Sequence, residues 1–128
     1  MTLRCLIVDD SRLYLEAARA LLEREGIDVA GVASESAEAL LQAEALRPDV
    51  ILVDIVLGEE SGLDLVRRLS EDSRAGGAAL ILISTHTEAD FSALIDESPA
   101  AAFIPKPDLS AEAIRRALNG GASGDRVQ

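Results

Sequence analysis

Short apolar runs alternate with amphipathic stretches five times along this chain. The runs are Leu6-Ile7-Val8, Asp28 to Ala33, Val50-Ile51-Leu52-Val53, Ala79 to Ile83 and Ala100 to Ile104. Val50 to Val53 is apolar at every position, the pattern of a strand covered on both faces. Asp28 to Ala33 is weaker and reads as a strand near a sheet edge. Between the runs lie five helical patterns. Ser11 caps the first, which runs to about Glu25 with Leu21 and Leu22 on its apolar face and Gly26 as its stop. Ser36 caps the second, which carries Leu40, Leu41 and Leu46 and stops before Pro48. Ser61 starts the third, with Leu65, Val66 and Leu69 inward. After the loop Arg74 to Gly77 and the fourth strand, Glu88 to Glu97 forms a short fourth helix with Phe91, Leu94 and Ile95. Ser110 caps the fifth, with Ile114, Ala117 and Leu118 inward and Asn119-Gly120-Gly121 at its end. Strand–helix repetition predicts an α/β fold with a doubly wound parallel sheet and right-handed crossovers.

The chain has 128 residues, which favours one domain and one core. Hydrophobic residues make up 48% and exclude a disordered chain, while aromatics at 2% leave the core to Leu, Ile, Val and Ala. No apolar stretch approaches the ~20 residues of a membrane span, and the N-terminus has no signal-peptide pattern. The single cysteine, Cys5, excludes an internal disulfide and fits a reducing cytoplasm. A net charge of −11 argues against nucleic acid as a partner, because that affinity rests on Lys and Arg.

Candidate chemistry collects where the strands end. Asp9 and Asp10 follow the first run, Asp54 the third, Ser84 the fourth and Lys106 the fifth. If the strands are parallel, these side chains meet at the edge where open α/β sheets bind ligands. Adjacent carboxylates repel and are stabilised together by a cation such as Mg²⁺, unless one of them merely caps the following helix. Asp54 beside that pair is a third metal ligand or a nucleophile. Ser84 either contributes its hydroxyl or begins a turn. Lys106, held between an apolar strand and Pro107, is placed to pair with Asp54 and then with added phosphoryl oxygens.

These residues carry a resemblance. Leu6-Ile7-Val8-Asp9-Asp10-Ser11, Asp54-Ile55-Val56-Leu57 with Gly62 beyond it, Ile83-Ser84-Thr85 and Phe103-Ile104-Pro105-Lys106-Pro107 resemble the receiver domain of two-component response regulators. The spacings agree as well: 44 residues from Asp10 to Asp54, 30 to Ser84 and 22 to Lys106. The resemblance implies a flavodoxin-like five-stranded sheet in the order 2-1-3-4-5, with residues 1–119 as the receiver domain and 120–128 as a flexible tail or linker stub. It implies that Asp54 accepts a phosphoryl group from the phosphohistidine of a sensor kinase or phosphotransfer protein. Asp10 directly, Asp9 through water, Asp54 and the backbone carbonyl of Val56 would bind Mg²⁺, with Mn²⁺ as a substitute. Ser84 and Lys106 would hold phosphoryl oxygens. Ser84 and Phe103 would then switch a face built from the fourth helix, fifth strand and fifth helix, used for an output protein or self-association. The implied role is a cytoplasmic signalling module, not an enzyme beyond promoting its own phosphorylation and dephosphorylation, with no nucleic acid or membrane partner.

Departures qualify the resemblance. Gly58 stands where the family commonly has proline, which predicts a looser loop after Asp54. Ser84 replaces the commoner Thr and keeps the hydroxyl. Phe103 replaces the commoner Tyr and loses one. Val56 and His86 occupy positions that modulate loss of the phosphoryl group. Val56 cannot orient water, and the lone His86 reads as an exposed loop residue. Two other functions compete on the same fold. A phosphorylation-independent interaction module would normally lack part of the acidic pocket, whereas a phosphate sink would keep it and accept the phosphoryl group without switching a surface. A flavin-binding electron carrier would need a phosphate-cradling loop where Asp9 and Asp10 stand, and aromatic residues of which the chain has only three. Nothing after Leu118 forms an output domain, so the chain reads as a single-domain regulator or a receiver cut from a longer protein.

Overall fold

The computed structural model describes residues 2–72, 77–85 and 92–123, the last four as backbone alone. Its core is a five-stranded parallel sheet of β1 (Arg4–Val8), β2 (Asp28–Ala33), β3 (Val50–Asp54), β6 (Ala79–Ser84) and β7 (Ala102–Pro105), in the order β2-β1-β3-β6-β7. This is the 2-1-3-4-5 order of a doubly wound sheet, with β2 at an edge as its weak pattern predicts. The numbering skips because Val56–Leu57 (β4) and Glu60–Ser61 (β5) form a small antiparallel hairpin that the apolar pattern does not announce. Gly58 sits at its turn with φ +59°, a left-handed conformation that glycine accommodates and proline cannot adopt.

Each sheet face buries its own set of alternating side chains. On one, Leu6, Val8, Ile51, Val53 and Leu82 pack against α2 (Ser36–Leu46) and α3 (Gly62–Glu71). On the other, Cys5, Ile7, Leu52, Ile81 and Ile83 pack against α1 (Arg12–Arg24) and α5 (Ala111–Ser123). Both faces of β3 are covered, and all five of its residues are buried.

The helix ends follow from capping chemistry. Ser11, Ser61 and Ser110 accept hydrogen bonds from the N–H of Tyr14, Asp64 and Ala113 respectively. Ser36 does not cap α2. Glu35 is the boundary residue, and Ser36 is buried with its N–H donating to Glu60 Oε1 at 2.8 Å. A carboxylate from β5 does the capping because the hairpin brings it to the helix N-terminus, where negative charge is favoured. Leu41 also turns outward at 69% exposure, leaving Ala39 and Ala43 as the buried seam of α2. The helix closes with Arg47 at φ 48°, since the residue before Pro48 avoids the right-handed helical region. The fourth helix, α4, is described over Ser92–Asp96, where Ile95 is buried and Leu94 is largely exposed. Its expected start at Glu88 and Phe91 lies outside the described residues, as do His86, Thr87 and Arg74 to Gly76. Finally, α5 does not end at Asn119-Gly120-Gly121 but continues to Ser123. The cost of two glycines in a helix, ~1 kcal/mol each, does not by itself set the boundary.

Candidate functional site

Parallel pairing brings the predicted residues to one edge. In register, Val8 lies beside Val53, Asp54 beside Ile83, and Ser84 beside Pro105. The residues that follow those positions, Asp9, Asp10 and Lys106, therefore emerge together with Asp54 and Ser84. One carboxylate oxygen from each of Asp9, Asp10 and Asp54 lies within 4.8 Å of the others. Asp9 is fully buried, Asp54 nearly so, and Asp10 is exposed.

Neither member of the acidic pair caps α1. That role falls to Ser11, while Asp9 Oδ1 accepts from the Ser11 N–H at 2.8 Å, which fixes the turn out of β1. Asp54 is held by its own neighbour: Val56 N–H donates to Asp54 Oδ1 at 3.2 Å. Asp10 Oδ2 faces the turn at Gly58, 3.6 Å from where a Cβ would stand.

Lys106 is the centre of the arrangement. It begins a 3-10 turn, Lys106–Asp108, directly after β7. Its Nζ lies 2.6 Å from Asp9 Oδ2 and 3.1 Å from Asp54 Oδ2, with 12% of the side chain exposed. The sequence pointed to the Asp54 pair. It did not reveal the shorter contact to Asp9, nor Tyr14, whose ring centroid is 4.4 Å from the same ammonium. The available signal was position: Tyr14 falls in the first turn of a helix that begins at the acidic pair, so it overhangs the strand ends.

The charges respond to this crowding. Burial pushes the Asp54 carboxyl above the usual carboxylate range and Asp9 adds to it, although Lys106 and the Val56 N–H pull the other way. Burial works against the Lys106 ammonium, but its hydrogen bonds to Asp9 and Asp54 outweigh that and hold its pKa above the ordinary lysine value. Burial first, then the Asp9 and Asp54 charges, raise the Tyr14 phenol. Two buried carboxylates and one ammonium leave the site short of positive charge even before Asp10 is counted. Three hard oxygen donors within reach of one another suit Mg²⁺ or another oxygen-seeking divalent cation. Ser84 is buried at the end of β6, while Val56 is substantially exposed.

Phe103 lies in β7 opposite Leu82, partly buried and packed against the face covered by α2 and α3. Beside it, β7 and α5 enclose a groove of about 290 Å³ lined in part by Phe103, Pro105, Ala113, Arg116 and Ala117. Among the described residues, no helix is long and apolar enough to cross a membrane.

Comparison with known proteins agrees with this architecture. The chain is 35% identical over 125 residues to a protein-glutamate methylesterase/protein-glutamine glutaminase of Alkalilimnicola ehrlichii, covering 92% of this chain and 31% of that protein. It is 34% identical over 116 residues to the DNA-binding response regulator MtrA of Mycobacterium tuberculosis, covering 91% and 49%. The chain thus spans a third to a half of these relatives' lengths. Among solved structures, a LuxR-family two-component response regulator from Aurantimonas sp. superposes with a TM-score of 0.80 at 26% identity, over 100% of this chain and 90% of that one. A response regulator protein from Burkholderia pseudomallei, solved with a phosphorylated aspartic acid, a calcium ion and citrate, superposes with a TM-score of 0.79 at 26% identity, over 94% and 69%. Residues 5–119 match the response regulator receiver domain family, and the chain belongs to it.

Proposed function

We propose that this chain accepts a phosphoryl group on Asp54 from the phosphohistidine of a sensor kinase or phosphotransfer protein, and that the modified domain changes a protein-interaction face. The observation that carries this reading is the seat of Lys106, bridging Asp9 and Asp54 at the strand edge where Asp10 completes a three-carboxylate cluster.

The roles follow from chemistry. An Asp54 carboxylate oxygen bonds to phosphorus as the donor's P–N bond breaks, and the departing imidazole keeps the electron pair and takes up a proton. Charge spreads over the phosphoryl oxygens in such transfers, so catalysis is chiefly positioning and electrostatic stabilisation. Lys106 is already at the acceptor and supplies one positive charge. The Ser84 hydroxyl, on the neighbouring strand end, supplies a hydrogen bond. Asp9, Asp10, Asp54 and the carbonyl of Val56 would hold Mg²⁺, or Mn²⁺ in its place, which when bound offsets the remaining negative charge. The Val56 N–H keeps one Asp54 oxygen oriented.

Readout is assigned to Ser84 and Phe103. Drawing Ser84 toward new phosphoryl oxygens frees space near β7, and Phe103 shifts with it. The surface so altered is α4, β7 and α5, including the groove beside Phe103. A protein, or a second copy of this chain, is the expected occupant. The acidity of the chain disfavours DNA, although DNA binding is part of the name of one relative. The chain acts as a signalling module in the cytoplasm.

The test is intact-mass measurement after incubation with Mg²⁺ and a small acyl phosphate donor. Wild type should gain one acid- and base-labile phosphoryl group, and Asp54→Asn none. Undiminished labelling of Asp54→Asn overturns the acceptor assignment. No labelling of wild type leaves a phosphorylation-independent interaction module on this fold.

A further inference from the structure

Tyr14 has no role in the reading above, yet it touches the centre of the site. It stands in the first turn of α1, and its ring centroid is 4.4 Å from Lys106 Nζ. Its carbon skeleton packs with the buried face that holds Ile83, Ile104 and Leu109. Its hydroxyl is buried without a hydrogen-bond partner among the described residues. A leucine would fill the same core position and avoid the orphaned hydroxyl, which is unfavourable in a buried setting. What tyrosine offers and leucine does not is the negative face of a π system turned toward an ammonium.

That face solves a specific problem. Lysine is a point charge on a flexible four-carbon stem. Here two carboxylates compete for its protons, at 2.6 and 3.1 Å. When a phosphoryl group arrives, Nζ must redirect protons to new oxygens without leaving its seat. An aromatic ring attracts the charge from a third side and accepts no directed hydrogen bond that would have to be broken.

We infer that Tyr14 is a positioning residue for Lys106 during phosphoryl transfer to Asp54, holding the ammonium over the acceptor through its ring while the hydroxyl is dispensable. The inference rests on the acceptor reading above, and the experiment separates the two. The rate of Asp54 labelling is measured against donor concentration at saturating Mg²⁺ for the full chain and for Tyr14→Phe and Tyr14→Leu, with thermal melts of each. Tyr14→Phe keeps the ring and should label within about twofold of wild type. Tyr14→Leu should lower the maximal rate by about 3- to 30-fold, the span of a partly desolvated cation–π contact. The donor concentration giving half the maximal rate should stay within about twofold, because the ring acts on Lys106 and not on the donor. Should Tyr14→Leu melt below the assay temperature, Tyr14→Met takes its place with the same expectation. An aliphatic variant as fast as wild type, or a Phe variant as slow as the aliphatic one, overturns the role of the ring while leaving Asp54 as acceptor. A wild type that takes no label overturns both.

Discussion

A methyl group on Gly62 would overlap the backbone carbonyl oxygen of Asp54. The Gly62 N–H also donates to the carbonyl of Ile55 at 2.7 Å. The chain leaves Asp54, turns through the β4–β5 hairpin and returns at the start of α3 to press against the acceptor's own backbone. Only a residue without Cβ permits that approach. Gly62→Ala must therefore displace either α3 or the Asp54 carbonyl. We expect a loss of ~1–3 kcal/mol in urea unfolding, the usual cost of overpacking, together with slower labelling of Asp54 well below the melting temperature. An unchanged unfolding midpoint would mean that α3 yields freely and that Gly62 does not hold the acceptor.

Lys106→Met should destabilise the protein more. It leaves the buried Asp9 and nearly buried Asp54 without their cation, and breaking one member of such a set costs ~3–5 kcal/mol. The pH dependence has a definite sign. Burial already raises the Asp54 pKa in the fold, and removing Lys106 raises it further. The folded state then binds more protons than the unfolded chain, so stability falls as pH rises through the carboxylate range and returns as pH falls. Urea unfolding at pH 7 and pH 5 should show the gap between wild type and variant narrowing at pH 5. A gap that widens there contradicts the arrangement.

Much of this molecule is legible in its sequence because its signals are local. Five apolar runs gave five parallel strands, and three serines gave three helix caps. The strand-end positions of Asp9, Asp10, Asp54, Ser84 and Lys106 converge once parallel pairing is assumed. What was illegible depends on contacts between distant residues. The N–H of Ser36 is satisfied by Glu60, 24 positions away, so a serine in a capping sequence context proved to be a buried first-turn residue. Ala111 N–H is likewise satisfied by Glu25 Oε1 at 2.7 Å across 86 positions. The hairpin at Gly58 is too short to show an apolar period. The Lys106–Asp9 contact needs the actual path of the side chain, since either aspartate of the pair could have taken it.

Metal binding should depend on Asp10 and be visible in stability. Asp10 is exposed, so Asp10→Ala should leave the metal-free protein close to wild type. A cation that binds only the folded state at ten times its Kd adds ~1.4 kcal/mol, or roughly 3–6 °C in Tm for a domain of this size. Mg²⁺ should raise the Tm of wild type by about that amount, EDTA should abolish the increase, and Asp10→Ala should show little of it. In EDTA, Asp54→Asn should melt above wild type at pH 7, because burial disfavours the ionised Asp54 carboxyl even with Lys106 beside it. Equal Mg²⁺ responses in wild type and Asp10→Ala would remove Asp10 from the ligand set.

Cys5 provides a prediction far from the site. It is fully buried in β1, and burial pushes its thiol from 9.0 up to about 12. The native thiol should resist alkylation at pH 8 and react promptly in denaturant, since the thiolate is the nucleophile. The same shift fixes the direction of alkaline stability. Above about pH 9 the unfolded chain releases the thiol proton while the folded chain keeps it. Stability should fall with rising pH, by at most ~1.4 kcal/mol per pH unit for one such group. Tyr14 and Lys106, whose pKa values also lie above their ordinary ones, add to the decline only at higher pH. Cys5→Ala should therefore start less stable at pH 7, having lost a buried sulfur, yet lose less on going to pH 10. Urea unfolding of both proteins at the two pH values decides the matter. Parallel losses in wild type and variant would remove Cys5 from the alkaline decline and leave it as packing alone.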